Sequence, residues 1–280
     1  MLDVMLLVPA DVLRPRRPDD HFAAEADAAR AAGLTVALVD HDALAKPGGA
    51  GEAVRRVPSA GPASYRGWML SAERYADFEA ALAGRDVVLR TTASQYRRAH
   101  ELPGWYADLA EITPTSVWTE GDARSAFEQA CDSLGPGPAV LRDYTKSMKH
   151  YWREAAYIPE VADFEAAWAV ASRFRESREI DFAGGFVVRR FEDFASAEAR
   201  TWWADGVCRL VGPHPDTPDE LPAVSVVAAE ALIRELGLPF VTADFARRED
   251  GTWRLIELGD GQVSDRPVSV PPAELVALLT

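Results

Sequence analysis

The sequence predicts an α/β unit followed by an α+β remainder, and three patterns carry that expectation. The opening alternates strand, helix and strand: an apolar run at 4–8, an alanine-rich helical run at 20–32 ended by Gly33, and an apolar run at 35–39. That order favours a parallel sheet. Further along, Asp205-Gly206 and Asp250-Gly251 each lie between runs that alternate apolar and polar residues, as antiparallel hairpins do. Helical periodicity then recurs between strand-like runs, at 122–134, 161–174 and 224–236.

Each element has a local reason. Residues 47–62 are rich in Gly, Ala and Pro and read as a loop, and 65–70 as a strand. Ser71 is placed to cap a helix reaching about Ala83, and 87–89 is a further strand. Residues 91–119 read as two helices broken at Pro103-Gly104 and then a crossover strand. Ala123, Phe127, Ala130 and Leu134 are spaced for burial on one helix face. A strand at 139–143 runs into TKSMKHYW, a basic segment in an acidic chain. Strands at 156–158 and 185–191 flank the helix from 161, a hairpin spans 200–211, and a short helix at 272–279 closes the chain.

The chain has 280 residues, 48% hydrophobic and 26% charged, enough for a large core and about two domains. A net charge of -14 argues against a phosphate-backbone binder, so no nucleic-acid partner is expected. Cys131 and Cys208 are too few for a disulfide framework, which suits a reduced, cytoplasmic protein. The first ten residues make a poor signal peptide, and no apolar run approaches the roughly 18 residues of a membrane span.

The Asp250-Gly251 hairpin carries most of the chemistry. Counting outward from a two-residue turn puts Glu249 opposite Thr252 and Asp244 opposite Glu257, on a face shared with Thr242, Ala246, Leu255 and Gly259. Ala243, Phe245, Ile256 and Leu258 form the core-packing face. Opposed acids about 5 Å apart repel by up to about 1 kcal/mol unless a cation lies between them. Carboxylates are ligands that Mg²⁺ prefers. The alternative at this point is a solvated hairpin with two exposed acids. Cations come from three other segments: Arg142, Lys146 and Lys149; Arg189 and Arg190; and Arg200 with Arg209, which the hairpin register places with Trp202 on one face. Cations for phosphate oxygens and acids for a metal are what phosphoryl transfer needs. There is no GxxxxGK[ST], HExxH or GxSxG, and the five histidines show no ligand spacing.

In their order, YRRAHELPGWY, TPTSVWT, AVLRDYTKSMKHYWREAAYIP, GFVVRRFED, the strand around Arg200, TADFA and IELGDGQVSDRP resemble the ATP-grasp family. The closest resemblance is to its clade of small proteins named for an arginine and two lysines. It implies an ATP-grasp fold with an N-terminal α/β domain (1–110), a lid subdomain (111–190) and a C-terminal metal-binding subdomain (191–280). It also implies ATP and Mg²⁺ as cofactors and a carboxylate-amine ligase that acts, through an acyl-phosphate, on small molecules or a peptide. By the same resemblance Asp244 and Glu257 hold Mg²⁺, while Arg142, Lys146 and Lys149 meet ATP phosphates. Arg189 belongs to the same nucleotide-binding set. Arg200 and Lys146 are catalytic, Arg200 steadying the γ-phosphate, and the strand end Arg190, Phe191 and Glu192 reads adenine. Arg142 stands where such proteins usually carry a lysine, and Gly259 where they carry an Asn. Asp260, or else Gln262, is expected to supply the missing metal ligand. A nucleotide-binding module without ligase activity and another phosphoryl-transfer enzyme are the alternatives.

Overall fold

The computed structural model describes residues 4–279, whose strands form three four-stranded sheets. In the first, β1 (Met5–Pro9), β2 (Thr35–Val39), β3 (Gly61–Tyr65) and β4 (Val87–Leu89) run parallel in the order β2-β1-β3-β4. The third strand begins four residues before the expected one, and the chain leaves the sheet at Arg66, whose side chain is held elsewhere. The 47–62 segment is not all loop. A helical turn at Ala50–Ala53 interrupts it, and another at His41–Leu44 precedes it, capped by the Asp40 carboxylate accepting from the Ala43 N–H. Tyr65, Tyr75, Phe78 and Leu82 are fully buried in the core beside this sheet.

The second sheet is antiparallel: β5 (Ser116–Trp118), β6 (Ala139–Asp143), β7 (Tyr157–Ile158) and β8 (Phe186–Arg190), in the order β5-β8-β6-β7. Helices Arg124–Leu134 and Phe164–Arg178 share its core through Phe127, Ala171 and Phe174. Asp163 caps the second helix by accepting from the Ala166 N–H.

The third sheet contains β9 (Ala199–Ala204), β10 (Val207–Pro213), β11 (Phe240–Arg247) and β12 (Trp253–Asp260), in the order β10-β9-β11-β12. The two Asp-Gly turns close differently. Asp205 and Gly206 both have positive φ (50° and 74°), the two-residue hairpin expected. Beyond it, however, a bulge falls between Cys208 and Leu210, so Trp202 pairs with Leu210 and Arg200 with Gly212. Arg209 therefore drops out of the expected face with Arg200 and is exposed. At the other turn only Gly251 has positive φ (88°). There the Arg248 N–H donates to Thr252 O, and the Gly251 N–H to Arg248 O, so Arg248 rather than Glu249 faces Thr252. The Asp250 carboxylate accepts from the Thr252 N–H, which favours this looser turn.

The far end of the same hairpin keeps the expected register. The Gly261 N–H donates to Phe240 O, and the Cβ position of Gly259 lies 3.2 Å from Thr242 Oγ1. Turn and far end are out of step by one residue, so a bulge lies between them. Leu255, expected on the acid face, is fully buried as a result.

The contacts group the chain into two compact units, which cut across the three consecutive segments expected. One comprises residues up to Ala99, Ala197–Phe245 and those from Glu257 onward; the other comprises His100–Ser196 and Ala246–Ile256. Within the first, Arg66 and Glu25 form a buried ion pair, Nε to Oε2 at 2.6 Å and Nη2 to Oε1 at 3.0 Å. The same guanidinium donates to the carbonyls of Gly261, Gln262 and Ser264. The loop after β12 is thus held against β3. Among the described residues no helix is long and apolar enough to cross a membrane.

Candidate functional site

In the first unit, strand pairing sets Arg200 directly opposite Asp244. The contact is bidentate: Nε donates to Oδ1 at 2.9 Å and Nη2 to Oδ2 at 2.8 Å. Asp244 is 2% exposed, so the exposed-acid alternative does not describe it. Burial pushes the Asp244 carboxyl up, but the Arg200 guanidinium, aided by His214, outweighs this and holds it well below the usual carboxylate range. Burial likewise disfavours the Arg200 charge, and Asp244, Glu257 and Asp265 together overcome it and raise its pKa. Three acids therefore act on one cation.

His214 completes this cluster, contrary to the expectation that the histidines are scattered. Its Nε2 lies 3.4 Å from Asp244 Oδ2, 3.8 Å from Glu198 Oε2 and 3.1 Å from Arg200 Nη2. Counted from the Asp205-Gly206 turn, His214 would fall opposite Ala197. The bulge moves it opposite Glu198, whose carbonyl accepts from the His214 N–H. The signal was absent from residue spacing because one extra residue in β10 created it. Carboxylates and an imidazole gathered on one cation form a donor set that suits a divalent metal ion.

Asp260 lies elsewhere. Gly259 faces Thr242 on the acid side, so the next residue turns to the opposite face. Its Oδ1 accepts from the backbone N–H of Gln262 at 2.8 Å and from the Gln262 amide at 3.0 Å, and that amide also donates to the Tyr75 hydroxyl. Asp260 is 1% exposed, and Oδ2 has no partner. The expected third metal ligand thus faces the tyrosine core. Neither does Gln262 turn to Asp244: its side chain is held by Asp260, Tyr75 and the Tyr65 N–H. Burial raises the Asp260 pKa from 3.8 to about 7 against the lowering effect of Gln262. A folded pKa above the unfolded one means that stability is full below about pH 4 and falls as pH rises through about 7. Asp260→Asn is therefore expected to match wild type near pH 4 and to exceed it at pH 8, by at most about 4 kcal/mol. Thermal unfolding across that range checks this; a constant difference at all pH values would refute it.

The cations of the second unit divide by how the fold uses them. Arg189 is 6% exposed and donates to the carbonyls of Ile256 and Leu255 and to Thr113 Oγ1. Arg190 caps the end of the helix Arg124–Leu134, donating to the carbonyls of Leu134, Gly135 and Pro136. Arg142, also 6% exposed, donates to Asp143 O and Thr145 O. These three expected nucleotide contacts have guanidinium donors engaged by the fold, which needs buried carbonyls satisfied. Glu192 pairs with Arg254 at 3.0 Å, and Phe191 packs with Tyr157 (5.3 Å) and Trp152 (6.2 Å).

Lys146 and Lys149 are both exposed, on a loop fixed by Asp143, a residue not among the expected site residues. Asp143 is fully buried; its Oδ1 accepts from the N–H groups of Thr145 and Lys146, and its Oδ2 pairs with Arg178 at 2.8 Å. One acid thereby orients the lysine loop.

This architecture is that of the ATP-grasp proteins. The model of the ATP-grasp domain for family 3 of the clade named after an arginine and two lysines matches residues 133–279, and the chain belongs to that family. Among solved structures, the chain is similar to a RimK domain ATP-grasp protein from Sphaerobacter thermophilus (TM-score 0.65, 19% identity, 98% of this chain and 97% of that one). It is also similar to the D-cycloserine synthetase DcsG (0.63, 18%, 98% and 98%). A third is the ATP-grasp ligase PsnB complexed with a minimal precursor, Mg and ADP (0.58, 13%, 98% and 96%). Comparison with curated proteins finds no match.

Proposed function

We propose that the protein is an ATP- and Mg²⁺-dependent ligase that joins a carboxylate to an amine. The observation that carries this reading is the buried Arg200–Asp244 pair with Glu257 acting on the same guanidinium, in a chain of the ATP-grasp family. Asp244 and Glu257 would hold Mg²⁺, which offsets the charge of the transferring phosphoryl group. Lys146 and Lys149 are the cations for the ATP phosphates, and Arg200 steadies the γ-phosphate. The substrate carboxylate attacks the γ-phosphorus and ADP leaves; the amine then attacks the acyl-phosphate carbonyl, forming the amide and releasing phosphate and a proton. No covalent protein nucleophile is needed, since the chain's part is to orient charges and exclude water. Phe191 and the backbone of Arg190 and Glu192 are proposed to meet adenine. A small molecule or a peptide supplies the carboxylate; the similar solved structures include a D-cycloserine synthetase and an ATP-grasp ligase complexed with a precursor peptide.

ADP release, assayed with ATP, Mg²⁺ and pooled carboxylates, amines and peptides, tests the proposal. Release that requires both an acid and an amine is the expected result; release indifferent to both would refute it. A second reading, nucleotide binding without ligation, is favoured by Gly259 and by the inward turn of Asp260, which leave no Asn-like ligand after Glu257. It predicts Mg²⁺-dependent stabilisation by ATP with no ADP from any pool.

A further inference from the structure

Glu198, His214 and Asp244 each present one ligand atom, all within 4.8 Å of one another. Around a four-coordinate ion with bonds of about 2.1 Å, neighbouring donors stand roughly 3.4 Å apart. The His214 Nε2 separations of 3.4 Å from Asp244 and 3.8 Å from Glu198 match that spacing closely. Asp244 and His214 are 2% and 6% exposed, so the site is built into the sheet and is not a chance grouping of surface acids. A cation already occupies it, as the Arg200 Nη2 is 2.8 Å from Asp244 Oδ2 and 3.1 Å from His214 Nε2.

The ring nitrogens carry the argument further. Two N–H donors aim at the imidazole: Arg200 at Nε2, and the Asp216 backbone at Nδ1, both at 3.1 Å. A neutral ring has one lone pair to offer, so it cannot serve both. With the proton on Nδ1, which lies 3.6 Å from the Asp216 carboxylate, the Nε2 lone pair faces Arg200, Asp244 and Glu198.

We propose that His214 is a metal ligand, binding a divalent transition-metal ion such as Mn²⁺ through Nε2 together with Asp244 and Glu198, in place of the Arg200 guanidinium. This rests on the reading of Asp244 as a metal-binding residue and adds a nitrogen donor that the paired carboxylates lack. An imidazole shifts preference from Mg²⁺ towards transition-metal ions such as Zn²⁺, and Mn²⁺ serves as the paramagnetic probe of the same site. Arg200 and the ion exclude one another, so metal binding frees the guanidinium for an anionic ligand.

Mn²⁺ added to the nucleotide-free protein tests the assignment by electron paramagnetic resonance. Bound Mn²⁺ in wild type is expected to show ¹⁴N electron spin-echo modulation. His214→Gln should abolish the modulation and weaken Mn²⁺ binding by roughly 10- to 100-fold. Bound Mn²⁺ that is lost in Asp244→Asn yet shows no ¹⁴N modulation in wild type would overturn the His214 assignment while leaving Asp244 a metal residue. Mn²⁺ binding unaffected by Asp244→Asn would overturn the underlying metal reading. The wild-type spectrum is decisive even if a variant fails to fold.

Discussion

Arg66→Met is expected to destabilise the protein by at least about 3–5 kcal/mol, since removing one partner of a buried ion pair strands the other charge. Arg66 and Glu25 side chains are 1% and 4% exposed. Burial pushes the Glu25 carboxyl up, yet Arg66, with Arg266 and His21 nearby, holds it below its ordinary value, so it stays ionised. Without the guanidinium, the carbonyls of Gly261, Gln262 and Ser264 also lose their donor. Each buried acceptor left unpaired adds about 1–3 kcal/mol. Arg66 also stands over the rings of Phe22 and Trp202, at 5.8 and 5.7 Å, which a methionine replaces only in part. Urea denaturation measures the effect: the midpoint should fall with little change in slope. Adding Glu25→Gln should recover part of the loss, because the stranded charge is then gone. A loss below about 1 kcal/mol, the scale of an exposed pair, would show that the pair is not structural.

Asp244→Asn is expected to lower ATP turnover on the order of 10²- to 10³-fold, the scale of removing one preorganised charge-stabilising group. The substitution removes a metal oxygen's charge and halves the bidentate partner of Arg200. Stability falls too, because a carboxyl held below its ordinary pKa contributes stability above about pH 4, lost as pH drops through its folded value. Glu257→Gln separates the two effects, since Glu257 is only half-buried and pairs less intimately with Arg200. It should reduce turnover while moving the melting temperature little. Full turnover in Glu257→Gln would remove the carboxylate pair from the proposed chemistry.

Most of the framework was legible from periodicity and turn residues. The strand-helix-strand opening, the helix capped by Ser71, and the Asp205-Gly206 hairpin follow from local rules, and all appear. Register near a turn was less legible. Asp250 invited a two-residue turn, but its carboxylate captured the Thr252 N–H and the turn opened by one residue. The bulge past Cys208 had no sequence mark, and it decides that Glu198 rather than Ala197 meets His214. For side chains the lesson concerns donors. Arg189, Arg190 and Arg142 looked like phosphate cations because charge is visible in a sequence, whereas the carbonyls that engage them are not.

The acid hairpin illustrates the division. Alternation from Phe240 onward is enough to align Asp244 with Glu257, because side chains along a strand repeat every two residues and the far end of the pairing keeps that count. Family membership follows from the same order of motifs. What fills the space beside those acids depends on long-range packing: Arg200 from the neighbouring strand, His214 brought in by a bulge, and Asp260 turned into the tyrosine core. The contacts among Arg200, His214 and Asp244 join residues 14 to 44 positions apart, and Gln262, which holds Asp260, reaches Tyr75 187 positions away; only the folded chain brings such pairs within reach.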